Sequence, residues 1–190
     1  MNDPGEEKLD DNSLIGLIKK GETGSRYFEI IYSRYHTKVK NKCYSIVKNR
    51  QESLDLAEEI MVKIYEKLDS YKGNSKFSTW VYSLTYNHCI DYLRLKKNLH
   101  YPKWNSDQEM AVLPDYVEEF SEVIDYDKLM LVLEELHTEE QLLIRMKYVD
   151  EMSLKTIGEA LRITESAAKM RLKRARTRLL YLYTLRFIRG

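Results

Sequence analysis

A chain of 190 residues that is 43% hydrophobic is long enough for one large packed domain or two small ones. Charged residues make up 32%, yet the formal net charge is only +1, which excludes a uniformly basic DNA-coating protein. The charge is segregated instead: Asp3, Glu6, Glu7, Asp10, Asp11 and the stretch from Asp107 to Glu135 are acidic, and the C-terminal end is basic. Such asymmetry suits one face on nucleic acid and another on a protein partner.

No apolar run approaches the length of a membrane span, and no stretch has the pattern of a signal peptide. Cys43 and Cys89 sit singly in helical patterns and are expected as buried reduced thiols, which suits the cytoplasm. His36, His88, His100 and His137 are scattered without metal-ligand spacing, so no metal site is expected.

Only seven Gly and three Pro punctuate the chain, and long strand-like alternations are absent. The expected fold is all-α: two small helical domains joined by a flexible linker. A short helix is predicted over Asn12–Lys20, broken by Gly21 and Gly24, and a longer one over Ser25–Lys48 with Phe28, Ile31, Tyr32, Tyr35 and Val39 at helical spacing. The third, Glu52–Leu68, places Ala57, Ile60, Met61, Ile64, Tyr65 and Leu68 on one stripe. Its other side carries Asp55, Glu58, Glu59, Lys63 and Glu66. Gly73-Asn74-Ser75 reads as a loop before a fourth helix over Ser78–Lys97.

Periodicity fails between Asn98 and Ser121, where Pro102, Pro114, Asn105, Ser106 and Asp107 cluster. This is the expected linker. It also holds Tyr101, Trp104, Met110, Val112, Leu113 and Tyr116, more apolar groups than a purely solvated tether needs.

Helical pattern resumes over Val123–Leu136. Thr138-Glu139-Glu140-Gln141 has the spacing of a capping box and opens a helix to Val149. Ser153 caps a shorter helix to Leu161, a tight turn follows, and Thr164 caps the last helix. Ala168, Leu172, Ala175 and Leu179 form its inner face against Ile157, Leu161 and Ile163, and the small Gly158 and Ala168 suit a close crossing. That helix carries Lys169, Arg171, Lys173, Arg174, Arg176 and Arg178 against the single acid Glu165. Helix, turn and cationic helix outline a DNA-reading helix-turn-helix.

Docked in a major groove, such a helix presents the residues near its start to base edges. Glu165, Ser166, Lys169, Met170 and Lys173 lie away from the apolar stripe. Lys169 or Lys173 suits guanine acceptors and Glu165 suits cytosine. Arg171, Arg174, Arg176 and Arg178 suit phosphates, which position rather than specify.

Two separated segments then carry a resemblance. The first is Asp55-Leu56-Ala57-Glu58-Glu59-Ile60-Met61, followed by Leu68-Asp69-Ser70-Tyr71-Lys72-Gly73, Ser75-Lys76-Phe77-Ser78-Thr79-Trp80-Val81-Tyr82, and Asn87, Asp91, Tyr92, Leu93 and Arg94. The second is Leu136 to Leu179, with Ile157-Gly158-Glu159-Ala160-Leu161 and Lys169-x-Arg171-Leu172-x-Arg174-Ala175-Arg176. In order and spacing they resemble the extracytoplasmic-function group of bacterial RNA polymerase sigma factors, of the sigma-70 family. There are departures. The group usually has Gln and Phe where this chain has Glu58 and Met61, Gly where Arg162 stands, and often Thr-Val-Lys-Ser-Arg where this chain reads Ala167-Ala168-Lys169-Met170-Arg171.

The resemblance implies region two over residues 9–97, a linker over 98–122 and region four over 123–186. It implies an alternative sigma factor that binds core RNA polymerase and directs promoter-specific initiation, with catalysis left to the polymerase and no cofactor. Asp55, Glu58, Glu59 and Met61 are the implied polymerase-binding residues, on a helix the family presses against the clamp. Asn74, Ser75, Lys76, Tyr82, Tyr86, Asn87 and Arg94 are the implied minus-ten contacts, Asn74, Ser75 and Lys76 for a flipped base. Glu165, Ser166, Lys169, Met170, Arg171, Lys173, Arg174 and Arg176 meet the minus-thirty-five duplex, and the same domain docks on the polymerase flap. An anti-sigma factor or another regulatory protein is the remaining implied partner. Two alternatives stay open at this point: a helix-turn-helix regulator that works without polymerase, and a sigma factor recruited to DNA by another bound protein.

Overall fold

In a computed structural model, residues 9–21, 24–96 and 124–188 are described. They form eight α-helices and one short 3-10 turn, and no strand occurs among the described residues. The chain divides into two compact units, Met1–Leu95 and Lys96–Gly190. The linker reading of residues 98–122, and Lys97, lie outside the described residues. No helix among those described is long and apolar enough to cross a membrane.

The first unit holds α1 (Asp11–Lys19), α2 (Gly24–Val47), α3 (Arg50–Lys67), a 3-10 turn (Leu68–Ser70) and α4 (Phe77–Leu95). Local chemistry sets the helix starts. The Asp10 carboxylate accepts from the Ser13 amide at 2.7 Å, and the Asn49 side chain accepts from the Glu52 amide at 3.1 Å. Leu14, Ile31, Val39, Ala57, Ile60, Ile64, Val81 and Ile90 are buried, so every helix contributes to one core.

The apolar stripe predicted on α3 is buried except at its edge. Tyr65 is half exposed, because it lies about 80° around the helix from Ala57, and its ring meets Phe28 edge-on at 4.8 Å. Cys43 and Cys89 are buried free thiols, as expected, but they are not isolated: their sulfurs stand 3.6 Å apart between α2 and α4. The hydrogen bond to Cys43, together with burial, pushes the Cys89 thiol up, so it stays protonated.

The second unit holds α5 (Tyr126–Leu133), α6 (Thr138–Tyr148), α7 (Leu154–Leu161) and α8 (Glu165–Phe187). Asp125 caps α5 by accepting from the amides of Asp127 and Lys128 at 2.9 and 3.2 Å. The cap of α6 sits one residue earlier than the sequence spacing predicts. His137 is the cap residue, and its amide donates to the Glu140 carboxylate at 3.2 Å. Gln141 is free for other work and donates to the carbonyls of Leu136 and Glu134, at 2.9 and 3.1 Å. The shift has a physical reason: Glu140 is fully buried, and a buried carboxylate needs a donor more than a half-buried amide does.

Between α7 and α8 the chain reverses in three residues. The Ser153 hydroxyl caps α7 and the Thr164 hydroxyl caps α8, each accepting a backbone amide at 3.1 Å. Arg162 ends α7 with φ 54° and ψ 45°, the left-handed conformation that favours Gly or Asn. The Ile163 amide then donates to the Gly158 carbonyl at 2.9 Å. Gly158 serves this turn: a Cβ built there would stand 2.8 Å from the Ile163 carbonyl oxygen. The close approach is helix to turn, where the sequence suggests helix to helix. Ile157, Leu161, Ala168, Leu172, Ala175 and Leu179 are buried as the pattern predicts, and Ile163 is half-buried.

Gly158→Ala therefore overpacks a backbone that its own hydrogen bond holds in place. A loss of about 2 kcal/mol in urea unfolding of the full chain is expected. Gly16→Ala, on an exposed helix position with nothing within 4 Å of the new methyl, should be neutral or stabilising.

Candidate nucleic-acid interface

The turn delivers α8 with one face to solvent. Glu165, Ser166, Lys169, Met170, Lys173 and Arg176 are exposed along it, spaced as one surface of a helix. Arg162 is exposed beside its start. Ala167 is half-buried and adds no donor.

The arginines divide into two sets. Arg171 forms an ion pair with Glu139, and Arg178 stands 3.9 Å from Glu140. These carboxylates are buried on α6. Arg171 and Arg178 are seven residues apart and so share a face, which is the face turned to α6. Both guanidinium groups compensate buried acids inside the unit, a role that competes with the phosphate contacts read for them from the sequence. Nothing local in the sequence marks this, since Glu139 lies 32 positions from its partner. Arg174 is half-buried, with its Nε enclosed. Arg176 lies over the Tyr148 ring at 5.9 Å and keeps an exposed position.

A second feature of this unit was not legible in the chain. Tyr126, Met130, Leu133, Ile144, Tyr148 and Val149 line a mainly apolar cleft of about 410 Å³ between α5, α6 and α8. Tyr126, Tyr148 and Val149 are each more than half exposed there.

In the first unit the loop before α4 is anchored at one side and open at the other. The Tyr71 hydroxyl donates to the Ser75 carbonyl at 2.6 Å, and Lys19 donates to the Tyr71 carbonyl at 2.8 Å. Gly73 takes φ 73°, a left-handed turn conformation. Asn74, Ser75 and Lys76 are all exposed on this braced turn. Phe77 stacks with Trp80 at 5.5 Å, and Trp80 is half-buried.

The aromatic residues of α4 divide as well. Tyr82 is half-buried, with the Lys42 ammonium 5.0 Å from its ring. Tyr86 is fully buried in the core of the unit, so its ring has no face for a base; its place among the implied minus-ten contacts is corrected. Four residues bring it back almost onto the face of Tyr82, but deeper between α2 and α4. Asn87 is half-buried. Arg94 stands 3.6 Å from Asp91, the i,i+3 support the spacing implies.

On α3 the acids lie where the pattern places them, but two of them are held. Asp55 is exposed and accepts from Gln51 at 3.2 Å. Glu58 accepts from the Tyr32 hydroxyl at 2.9 Å and pairs with His36 at 2.8 Å, both on α2. Glu59 turns the other way and pairs with His88 of α4 at 2.6 Å. Lys63 lies 2.7 Å from Nδ1 of the same ring. An ammonium only donates, so Nδ1 accepts, and Nε2 carries the hydrogen given to Glu59. The two histidines that look scattered in the chain thus converge on one helix. Met61 is buried in the core, adjoining Ala57 and Ile64 on the stripe, so its side chain is packing and its assignment to a binding surface is corrected.

The two units match two family models of one class. Residues 31–98 match Sigma-70 region 2, and residues 126–179 match Sigma-70, region 4. The chain is 32% identical over 175 residues to the ECF RNA polymerase sigma factor SigW of Bacillus subtilis, covering 85% of this chain and 90% of that relative. It is 21% identical over 149 residues to SigX of the same organism, covering 75% and 76%. The ECF RNA polymerase sigma-E factor of Haemophilus influenzae is 31% identical over 87 residues, 46% of this chain and 44% of its own length.

This chain belongs to the ECF sigma factors of the sigma-70 family. It is an alternative sigma factor that directs transcription initiation with RNA polymerase. Two solved structures share its fold. CnrH in complex with the cytosolic domain of CnrY superposes with a TM-score of 0.57 at 18% identity, covering 93% of this chain and 98% of that one. The sigma factor RpoE in complex with the anti-sigma factor NepR from Bartonella quintana gives 0.54 at 16% identity, covering 84% and 98%.

The division of the arginines has a measurable consequence. Arg171→Ala strands a buried carboxylate and should cost about 2–3 kcal/mol of stability in chemical unfolding. Lys169→Ala, on the exposed face, should change stability by less than about 0.5 kcal/mol. Equal stability of the two variants would disprove the division.

Proposed function

We propose that the two units divide promoter recognition between them, region two acting over residues 9–97 and region four over 123–186, with 98–122 as the tether. The observation that carries this reading is the exposed face of α8, on which Glu165, Ser166, Lys169, Met170, Lys173 and Arg176 stand together beyond a capped helix-turn-helix. That face enters the major groove of the minus-thirty-five duplex. Lys169, Lys173 and Glu165 meet base edges, while Arg176 and Arg174 follow phosphates.

Region two captures the opened minus-ten strand. Asn74, Ser75 and Lys76 offer an amide, a hydroxyl and an ammonium on a turn braced by Tyr71, which lets them hold an unstacked base without first being ordered. Tyr82 and Asn87 support the strand, and Arg94 with Lys96 supplies charge along it. Asp55, Glu58 and Glu59 face the polymerase clamp, where carboxylates steer a cationic partner. The apolar cleft between α5, α6 and α8 receives the polymerase flap. A tether of about two dozen residues reaches ~80 Å when extended, and two elements one and a half turns apart are ~50 Å distant, so both can be held at once.

Chemistry stays with the polymerase, in the cytoplasm, and this chain supplies selection. A regulatory protein of the anti-sigma kind restrains it. RpoE is solved with the anti-sigma factor NepR, and CnrH with the cytosolic domain of CnrY, which supports the reading.

Run-off transcription by core polymerase reconstituted with the full chain is the direct test; no initiation on any genomic template would refute it. Lys169→Ala with Lys173→Ala should weaken upstream duplex binding and make the log–log salt slope shallower by about 1.8. Asn74→Ala should reduce permanganate reactivity of the minus-ten thymines at least several-fold while duplex binding stays intact. Asp55→Lys should lower co-purification with core enzyme.

A further inference from the structure

Met170 is the single apolar member of the exposed α8 face, between Ser166 and Lys169 on one side and Lys173 on the other. It is 43% exposed, whereas Ala168, Leu172, Ala175 and Leu179 of the same helix are buried. A methionine left in water at the centre of a charged surface gains nothing for the fold. Its long unbranched thioether gains when it meets another apolar group. It stands in the second turn of α8, in the part of a recognition helix that reaches base edges.

The major groove offers one apolar group of that size, the 5-methyl of thymine. The flanking side chains narrow the choice further. Lys169 and Lys173 are cations suited to guanine O6 and N7, and neither competes for a methyl group. Ser166 and Glu165, one turn earlier, serve polar edges. The face therefore has four polar readers arranged around one apolar reader.

We propose that Met170 is a specificity-determining residue that reads the 5-methyl group of a thymine in the upstream promoter element. The proposal rests on the docking of α8 described above. It makes that step of the element sensitive to a methyl group rather than to a hydrogen bond. Removing the methyl should weaken binding about four-fold, the loss implied by exposing one methyl's worth of apolar surface.

The test uses holoenzyme reconstituted from core polymerase and the full chain. Its upstream element is first obtained by selection from random duplexes. Each thymine of the element is then replaced singly by uracil, which removes the methyl and keeps every hydrogen-bonding edge. At one position the wild-type holoenzyme should bind the uracil duplex about four-fold more weakly. Holoenzyme carrying Met170→Ser should bind the thymine duplex more weakly by a similar factor and be indifferent to uracil at that position. Thermal unfolding of the variant should lie close to wild type, since the residue is exposed and not part of the buried core. If the element is bound and uracil is tolerated at every position, or if Met170→Ser keeps the full sensitivity, the inference is overturned and the docking of α8 survives. If no upstream duplex is selected or protected, the docking itself is wrong and the inference falls with it.

Discussion

Six cations crowd α8 between Lys169 and Arg178, and each must find an anion. Two find it within the protein: Arg171 pairs with Glu139 and Arg178 approaches Glu140, both carboxylates being buried on α6. That pairing does two things at once. It fixes the rotation of α8 against α6, because a buried charge tolerates little displacement from its partner. It also decides, by exclusion, which side chains are left facing outward. Lys169, Lys173 and Arg176 remain exposed for an external anion, with Arg174 half-buried beside them, in company with Glu165, Ser166 and Met170. The exposed cationic surface is thus defined from inside the unit.

The turn ahead of α8 completes the constraint. Gly158 lets the backbone of Ile163 pass at a distance no side chain permits, and Arg162 takes a left-handed conformation to reverse the chain. An L-residue there costs of order 1 kcal/mol relative to Gly. Rigid packing of the turn makes this tolerable, since two backbone hydrogen bonds close over it. A helix-turn-helix held this firmly presents its exposed face with little ordering left to do on binding a partner.

The first unit solves a similar problem with different means. α3 must bury one stripe and expose acids on another, and its neighbours hold those acids in place. His36 and Tyr32 from α2 take Glu58, and His88 from α4 takes Glu59. The acidic surface is therefore arranged by the same helices that form the core. Tyr71 likewise belongs to the core by its ring and to the loop by its hydroxyl, so the Gly73–Lys76 turn is tied to the packing beneath it.

Much of this was legible in the chain because it is local. Helix caps at Ser153 and Thr164, the α3 stripe and the inner face of α8 all follow from spacings of three and four residues, and the structure keeps them. What failed in the sequence reading failed for one reason. Periodicity tells which residues share a face, but not how deep that face sits or what packs against it. Tyr86 and Met61 read as surface contacts and are core; Arg171 reads as a phosphate contact and is an internal partner. His36 and His88 look unrelated until α2 and α4 flank α3. The amino-acid pattern by itself determined an all-helical chain with a helix-turn-helix at its basic end. Only the tertiary structure decided which cations, acids and aromatics face outward, because burial and long-range ion pairing arise when helices far apart in the chain are brought together.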